Sequence, residues 1–295
     1  MESNFLREVF LPLALFLIML GMGLSLKMED FKRVLIQPKA VLLGLIAQLI
    51  MLPVVGYFLA SIFPLSPELA VGVMILAACP GGATSNILTY LVRGNVALSI
   101  TLTAMSSAIA VFTLPIVVNL AMLNFMAENV AVQLPFLKTV IQIGIITLIP
   151  ISLGMLLNHF TPRLAAKSEK SVKWLSLFFL GLIVTGLVLK ERANLSSFFL
   201  EVGGVMFTLN VLTMSLGCGI AILGRLNHSC AKAITVEVGI QNGTLAILIA
   251  SAPTFLNNSS MAIPAAIYSL LMFVTSGFFA WWVQNRQKIK LLQRN

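Results

Sequence analysis

Two short stretches concentrate helix breakers and polar side chains inside long apolar runs. PGGATSN, residues 80–86, sets Pro80, Gly81 and Gly82 beside Thr84, Ser85 and Asn86. EVGIQNGT, residues 237–244, places Glu237 next to Gly239, Gln241, Asn242, Gly243 and Thr244. Proline removes a backbone donor and glycine is a poor helix former, so each stretch interrupts a helix. Carbonyls freed at such a break can ligate a cation, and the half-helix N-termini can face an anion. Glu237 sharpens this chemistry. The other nine of ten acidic residues fall in loops, at the N-terminal end or at the ends of apolar segments. A carboxylate in the middle of a membrane segment costs on the order of 3 kcal/mol or more and marks function by default. Its bland alternative, a structural salt bridge, needs a buried base, and no Lys or Arg lies deep in an apolar segment. The bland alternative for PGGATSN is a simple kink, but three breakers beside three polar side chains exceed what a kink needs.

These residues need elements to hold them, and the composition says which kind. Hydrophobic residues make up 59% of the 295, charged residues 10%, and the mean hydropathy is +1.00. Soluble domains carry roughly 25% charged residues, so this chain uses lipid as its main solvent. Nine apolar segments can be drawn: 9–26, 40–62, 69–92, 95–121, 134–158, 172–189, 198–223, 231–251 and 261–283. They leave no room for a separate soluble domain, and residues 1–295 read as a single all-α polytopic membrane domain. The net charge of +9 could suggest a nucleic-acid partner. Nine spans put the termini on opposite sides, however, and a cytoplasmic C-terminus leaves only Arg7, Lys138, Lys190 and Arg192 outside. The remaining fifteen of nineteen Lys and Arg fall inside, as the positive-inside rule asks. The charge is an orientation signal, with the N-terminus outside, a basic cytoplasmic tail at 284–295 and no nucleic acid. The first segment has no clear cleavage site before Lys27 and reads as a retained span.

Both breaks sit in apolar segments, and interruptions at corresponding places point to the site of a repeat-built secondary transporter. Gln48 precedes Asn86 much as Asn210 precedes Asn242, which hints at a first repeat over about 9–121 and a second over about 134–283. Ser99 and Thr103 are four apart and share a helix face, where they can serve a ligand or bond their own backbone carbonyls. Cys79, Cys218 and Cys230 read as free thiols. Cys79 is a soft-metal ligand or, more simply, a small buried hydrophobe. His159 and His228 lie too far apart in sequence to propose a metal pair. No nucleophile–base arrangement, HExxH or phosphate-binding loop occurs, so an enzyme is not expected and no catalytic residue is named.

ACPGGATSNILTYLVRGNVALSITLT and AITVEVGIQNGTLAILIA resemble the two crossover-helix signatures of the bile acid:sodium symporter family, and MLGMGLSLKMEDF and GLIAQLIMLP resemble its earlier spans. The resemblance implies two inverted repeats forming a panel and a core domain, with two broken helices crossing in the core. It implies nine transmembrane helices here, the first of the usual ten being absent. By position, one sodium site takes Ser85, Asn86, Ser99, Thr103 and Glu237. The other takes Gln48, Glu237 and Gln241 with the backbone carbonyls of Val238 and Ile240. Thr84, Asn242 and Gly243 are assigned to an organic anion. The implied function is import of a small organic anion (bile-acid-like, pantoate-like or keto-acid-like) by alternating access, with two Na+ per substrate. No organic cofactor and no obligate protein partner are implied, and the expected location is the plasma membrane, a bacterial inner membrane. Two departures bear on substrate identity: Ala83 stands where many members have threonine, and Met272 where some have histidine. A metalloid exporter of the related arsenite superfamily, using Cys79 with Glu237, and a non-transporting membrane sensor are the alternatives.

Overall fold

The structure, a computed structural model, describes residues 10–126, 134–190 and 195–292. Expectations that fall on other residues, Arg7, Arg192 and Arg294 among them, lie outside the described residues. Each apolar segment is helical. The chain runs through α1 (Leu11–Leu24), α2 (Met28–Ile36), α3 (Pro38–Ile62), α4 (Pro67–Ala78), α5 (Ser85–Leu91), α6 (Val96–Phe125) and α7 (Phe136–Phe160). It continues through α8 (Pro162–Lys190), α9 (Leu195–Leu223), α10 (His228–Gly239), α11 (Gly243–Ser251) and α12 (Ile263–Leu292).

Among the described residues, five helices are long and apolar enough to cross a membrane: α3, α6, α7, Ser197–Leu223 within α9, and Ser260–Arg286, which includes most of α12. A sixth crossing results if α1 and α2, bent by 65°, count as one span. This is an integral membrane protein by helix length and composition. The segments expected at 69–92 and 231–251 are each two helices, α4 with α5 and α10 with α11, broken at the two polar stretches.

Three stretches read as connections are helical instead. Residues 28–36 form α2 because Asp30 caps the turn, accepting a bond from the Lys27 N–H at 2.8 Å. The basic run after Thr161 begins α8 ten residues early, since Pro162 suits a first helical position and the following Ala, Lys and Glu are good helix formers. α12 runs on through the basic tail to Leu292.

Burial separates the helices. Leu69–Ala78 of α4 and all of α11 are buried, whereas α7 exposes Ile141, Ile145, Ile149 and Leu153, a stripe at four-residue spacing that faces lipid. α1, α7 and α8 pack on one another. Gly23 and Gly154 let α1 and α7 touch at the backbone, since a Cβ on Gly154 would stand 2.8 Å from the Gly23 Cα. The breaks themselves, Cys79–Gly82 and Gly239–Gly243, are buried in protein, which is where irregular backbone survives at membrane depth.

Candidate functional site

The two breaks satisfy each other. The Gly82 N–H donates to the Ile240 carbonyl at 2.9 Å, and the Asn242 N–H donates to the Pro80 carbonyl at 3.0 Å. Gly81 and Gln241 form the antiparallel bridge between these bonds. Groups that cannot pair within either helix thus pair across the crossing, which answers the cost of breaking a helix away from water. Asn242 also caps α11, its side-chain oxygen accepting from the Leu245 N–H at 3.0 Å. Glycine is required at the contact itself. A Cβ on Gly81 would strike Oε1 of Glu237, and one on Gly243 would strike Oγ of Ser269.

Glu237, 1% exposed, lies on the last turn of α10 against the crossing. Its Oε2 accepts from Ser85 Oγ at 2.8 Å and from Ser99 Oγ at 2.7 Å, and its Oε1 accepts from Thr103 Oγ1 at 2.5 Å. Ser85 comes from the first turn of α5, while Ser99 and Thr103 come from one face of α6. The single Thr103 proton has two acceptors in reach, Glu237 Oε1 and the Ser99 carbonyl at 3.0 Å, so the self-bonding alternative is present beside the bond to Glu237. Asn86 is buried, and its Oδ1 has no hydrogen-bond partner. A buried carbonyl oxygen without a donor is a hard ligand of the kind an alkali cation takes, and Asn86 follows Ser85 directly in sequence.

Of the second expected set, Gln48, Gln241 and the Val238 carbonyl meet, while the Ile240 carbonyl accepts from Gly82 and Glu237 bonds the hydroxyl cluster. Gln48 Nε2 donates to Gln241 Oε1 at 2.6 Å and to the Cys79 carbonyl at 3.3 Å, and Gln241 Nε2 donates to the Val238 carbonyl at 2.8 Å. Gln48 reaches the crossing from a π-helical turn, Ala47–Met51, inside α3. Pro53 lacks the N–H that would bond the Leu49 carbonyl, and the Leu52 N–H bonds Ala47, five residues back. Three participants were not read as site residues. Thr89 donates to Ser99 Oγ at 3.3 Å, extending the hydroxyl cluster by one turn of α5. Asn210 and Tyr268 both bond the Gly239 carbonyl, at 2.8 and 3.1 Å. Thr89 was findable four residues after Ser85; Tyr268 carried no signal beyond a hydroxyl in an apolar segment. Cys79 and Met272 are buried in the apolar core.

A cavity of about 530 Å³ opens beside the first cluster, between the end of α1, α5, the start of α6 and the α7–α8 junction. Ser25, Lys27, Asn86, Tyr90 and Asn158 supply its polar lining. A second cavity of about 520 Å³ shares Lys27, Asn158 and Pro162 and adds Glu29 and His159. Asn158 holds the α1–α2 turn that forms this wall, donating to the Leu26 carbonyl at 2.9 Å. Of the expected anion residues, Asn242 and Gly243 are buried at the crossing and Thr84 is half-buried.

A model of the sodium bile acid symporter family matches residues 12–198. An uncharacterized sodium-dependent transporter of Bacillus subtilis is 33% identical over 283 residues, which cover 95% of this chain and 85% of that one. The hepatic sodium/bile acid cotransporter of Rattus norvegicus is 30% identical over 238 residues, 80% of this chain and 65% of its own length. A probable chloroplastic sodium/metabolite cotransporter of Oryza sativa subsp. japonica is 29% identical over 262 residues, 89% of this chain and 63% of its own length. The chain thus spans less than two thirds of the length of the rat and rice proteins.

Proposed function

The chain belongs to the sodium bile acid symporter family, a family of sodium-dependent membrane transporters, and from that premise we propose that it imports a small organic anion with two Na+ by alternating access. The observation that carries this reading is the cluster around Glu237, where one buried carboxylate gathers three hydroxyls from two helices. One sodium ion takes Ser85, Asn86, Ser99, Thr103 and Glu237. The other takes Gln48, Gln241, Glu237 and the carbonyls of Val238 and Ile240. The amide donors of Gln48 and Gln241 bond the Gln241 and Val238 oxygens assigned to this ion, so cation binding requires these amides to turn over.

Two sodium ions on one carboxylate leave one positive charge, which a monovalent organic anion neutralises. The loaded carrier is then neutral at membrane depth, where uncompensated charge is costly. The empty carrier keeps the charge of Glu237, so one positive charge enters per cycle and a negative-inside potential drives uptake by about 2.3 kcal/mol per 100 mV. The anion site takes Thr84, Asn242 and Gly243, approached through the cavity beside Asn86. Lys27 on that cavity wall, with Arg163 and Lys167 following on α8, supports a cytoplasmic mouth and hence an inward-facing state.

One broken helix in each half of the chain, α4 with α5 and α10 with α11, supports the two inverted repeats. The packed group α1, α7 and α8 corresponds to a panel and the remaining helices to a core. With each broken pair counted as one span, α1 with α2 as another and α8 as a span of its own, the described residues make nine spans, which puts the N-terminus outside and the C-terminus inside. A family match to sodium symporters favours this over metalloid export. The deciding experiment is uptake of labelled organic anions into proteoliposomes, with sodium gradient and membrane potential varied independently. Uptake of a monovalent anion that responds to both is expected; indifference to both overturns the reading.

A further inference from the structure

The Gly239 carbonyl has lost its helical partner. The N–H four residues on belongs to Gly243, and it bonds the Gln241 carbonyl at 2.9 Å instead. Two side chains from other helices take its place. Asn210 Nδ2 on α9 donates at 2.8 Å, and the Tyr268 hydroxyl on α12 donates at 3.1 Å. Asn210 Nδ2 also reaches the Tyr268 oxygen at 2.9 Å, which closes a three-membered ring of polar groups. Both residues are wholly enclosed, at 0% exposure.

The same device occurs at the first break. There Gln48 Nε2 donates to the Cys79 carbonyl, at the end of α4, as Asn210 does to Gly239 at the end of α10. The two ends differ in what the amide does next. Gln48 goes on to Gln241, within the proposed ligand set, whereas Asn210 goes on to Tyr268, and its Oδ1 has no hydrogen-bond partner among the described residues. Gly239 sits between Val238 and Ile240, whose carbonyls the proposed function gives to sodium, and two residues from Glu237. The flanking groups have partners of their own: the Val238 carbonyl accepts from Gln241 Nε2 at 2.8 Å, and the Ile240 N–H donates to the Val236 carbonyl at 3.0 Å. The Gly239 carbonyl is the remaining group of this turn, and among the described residues only Asn210 and Tyr268 donate to it. Met214 packs against Gly239: its Sδ stands 2.8 Å from where a Cβ would be, which closes that position to larger residues.

We propose that Asn210 and Tyr268 are positioning residues for sodium binding: by holding the Gly239 carbonyl they fix the Val238 and Ile240 carbonyls in a ligating direction. The inference rests on the sodium-symport reading, because without a cation the direction of those carbonyls has no consequence for function. Neither residue touches the ion.

Tyr268→Phe removes one hydroxyl from a ring that stays packed, and Asn210→Ala removes the amide. The readout is sodium-dependent thermal stabilisation of the purified full chain, with choline replacing sodium at constant ionic strength. Each variant should raise the sodium concentration for half-maximal stabilisation by about three- to ten-fold, the range expected when a carbonyl loses one of its donors. Asn119→Ala is the control. It breaks a comparable clamp, on the Leu134 backbone, roughly 24 Å along α6 from Thr103, and should lower the melting temperature without moving the sodium midpoint. Wild-type sodium midpoints in Tyr268→Phe overturn the inference, as does an equal shift in Asn119→Ala. If Asn210→Ala does not fold, Tyr268→Phe alone decides. A wild-type protein that sodium does not stabilise would instead overturn the symport reading, so the two failures are distinct.

Discussion

Replacing Gly81 with alanine tests the crossing at its tightest point. The added Cβ would overlap Glu237 Oε1 and stand 3.0 Å from its Cδ and 3.5 Å from its Cγ. Two responses are open. Glu237 can withdraw, giving up a hydroxyl bond of the kind worth about 1.5–3 kcal/mol to a charged acceptor. Otherwise the two extended segments can part, straining the bonds from Gly82 to Ile240 and from Asn242 to Pro80, at the roughly 1–3 kcal/mol typical of overpacking. The molecule takes the cheaper route, so the cost is about 1–3 kcal/mol, and either route distorts groups that both sodium sites share. Sodium affinity should therefore fall by about 5- to 150-fold. The assay is the sodium dependence of uptake at fixed substrate, paired with sodium-dependent thermal stabilisation of the purified protein. Gly204→Ala serves as the matched control: nothing lies within 4 Å of its Cβ, and in a helix it should stabilise by about 0.5–1 kcal/mol without changing sodium dependence. A sodium half-saturation for Gly81→Ala within two-fold of the wild type would refute the claim that Glu237 and the crossing share one space.

Glu237→Gln keeps the shape of the side chain and removes its charge; it should reach the membrane in normal amount yet show no sodium-driven uptake, measured in proteoliposomes against a potassium-set potential. Lys27→Gln should raise the substrate concentration for half-maximal uptake with little change at saturation, because Lys27 lines the cavity but contacts neither cluster; an unchanged half-saturation argues that the anion does not pass this wall. Asn227 caps α10 through the Cys230 N–H at 2.8 Å, so Asn227→Ala should cost about 1 kcal/mol and lower the melting temperature while leaving the sodium midpoint in place. In a background without Cys79, Cys218 and Cys230, Thr254→Cys should react with an impermeant thiol reagent outside intact cells and Arg163→Cys should not; the reverse pattern inverts the topology.

Much of this arrangement was legible in the sequence because its chemistry is out of place there. A carboxylate, three amides and five helix breakers in two stretches inside apolar runs announce a buried polar site, and the structure gathers Ser85, Ser99, Thr103 and Glu237 into one cluster and Gln48 with Gln241 into another. Helix boundaries were harder where hydropathy and helix propensity disagree. The basic stretch before residue 172 is too polar to read as a span, yet its Lys, Glu and Ala extend α8 back to Pro162. Tyr268 shows the other limit. Its partner is a backbone carbonyl, freed only because Gly243 turns its N–H toward Gln241, and nothing in the residues around 268 signals that event.

The mutual pairing of the two breaks sets a condition on biogenesis. While the chain is being made, the Pro80 carbonyl and the Gly82 N–H have no partner, because residues 240–242 emerge roughly 160 residues later, on the order of ten to thirty seconds at ordinary rates of synthesis. During that interval the first break must stay in the insertion machinery or near the interface, where water or another protein can satisfy it. The site therefore closes only when the second half arrives, and neither half made alone would hold its own broken helix in lipid.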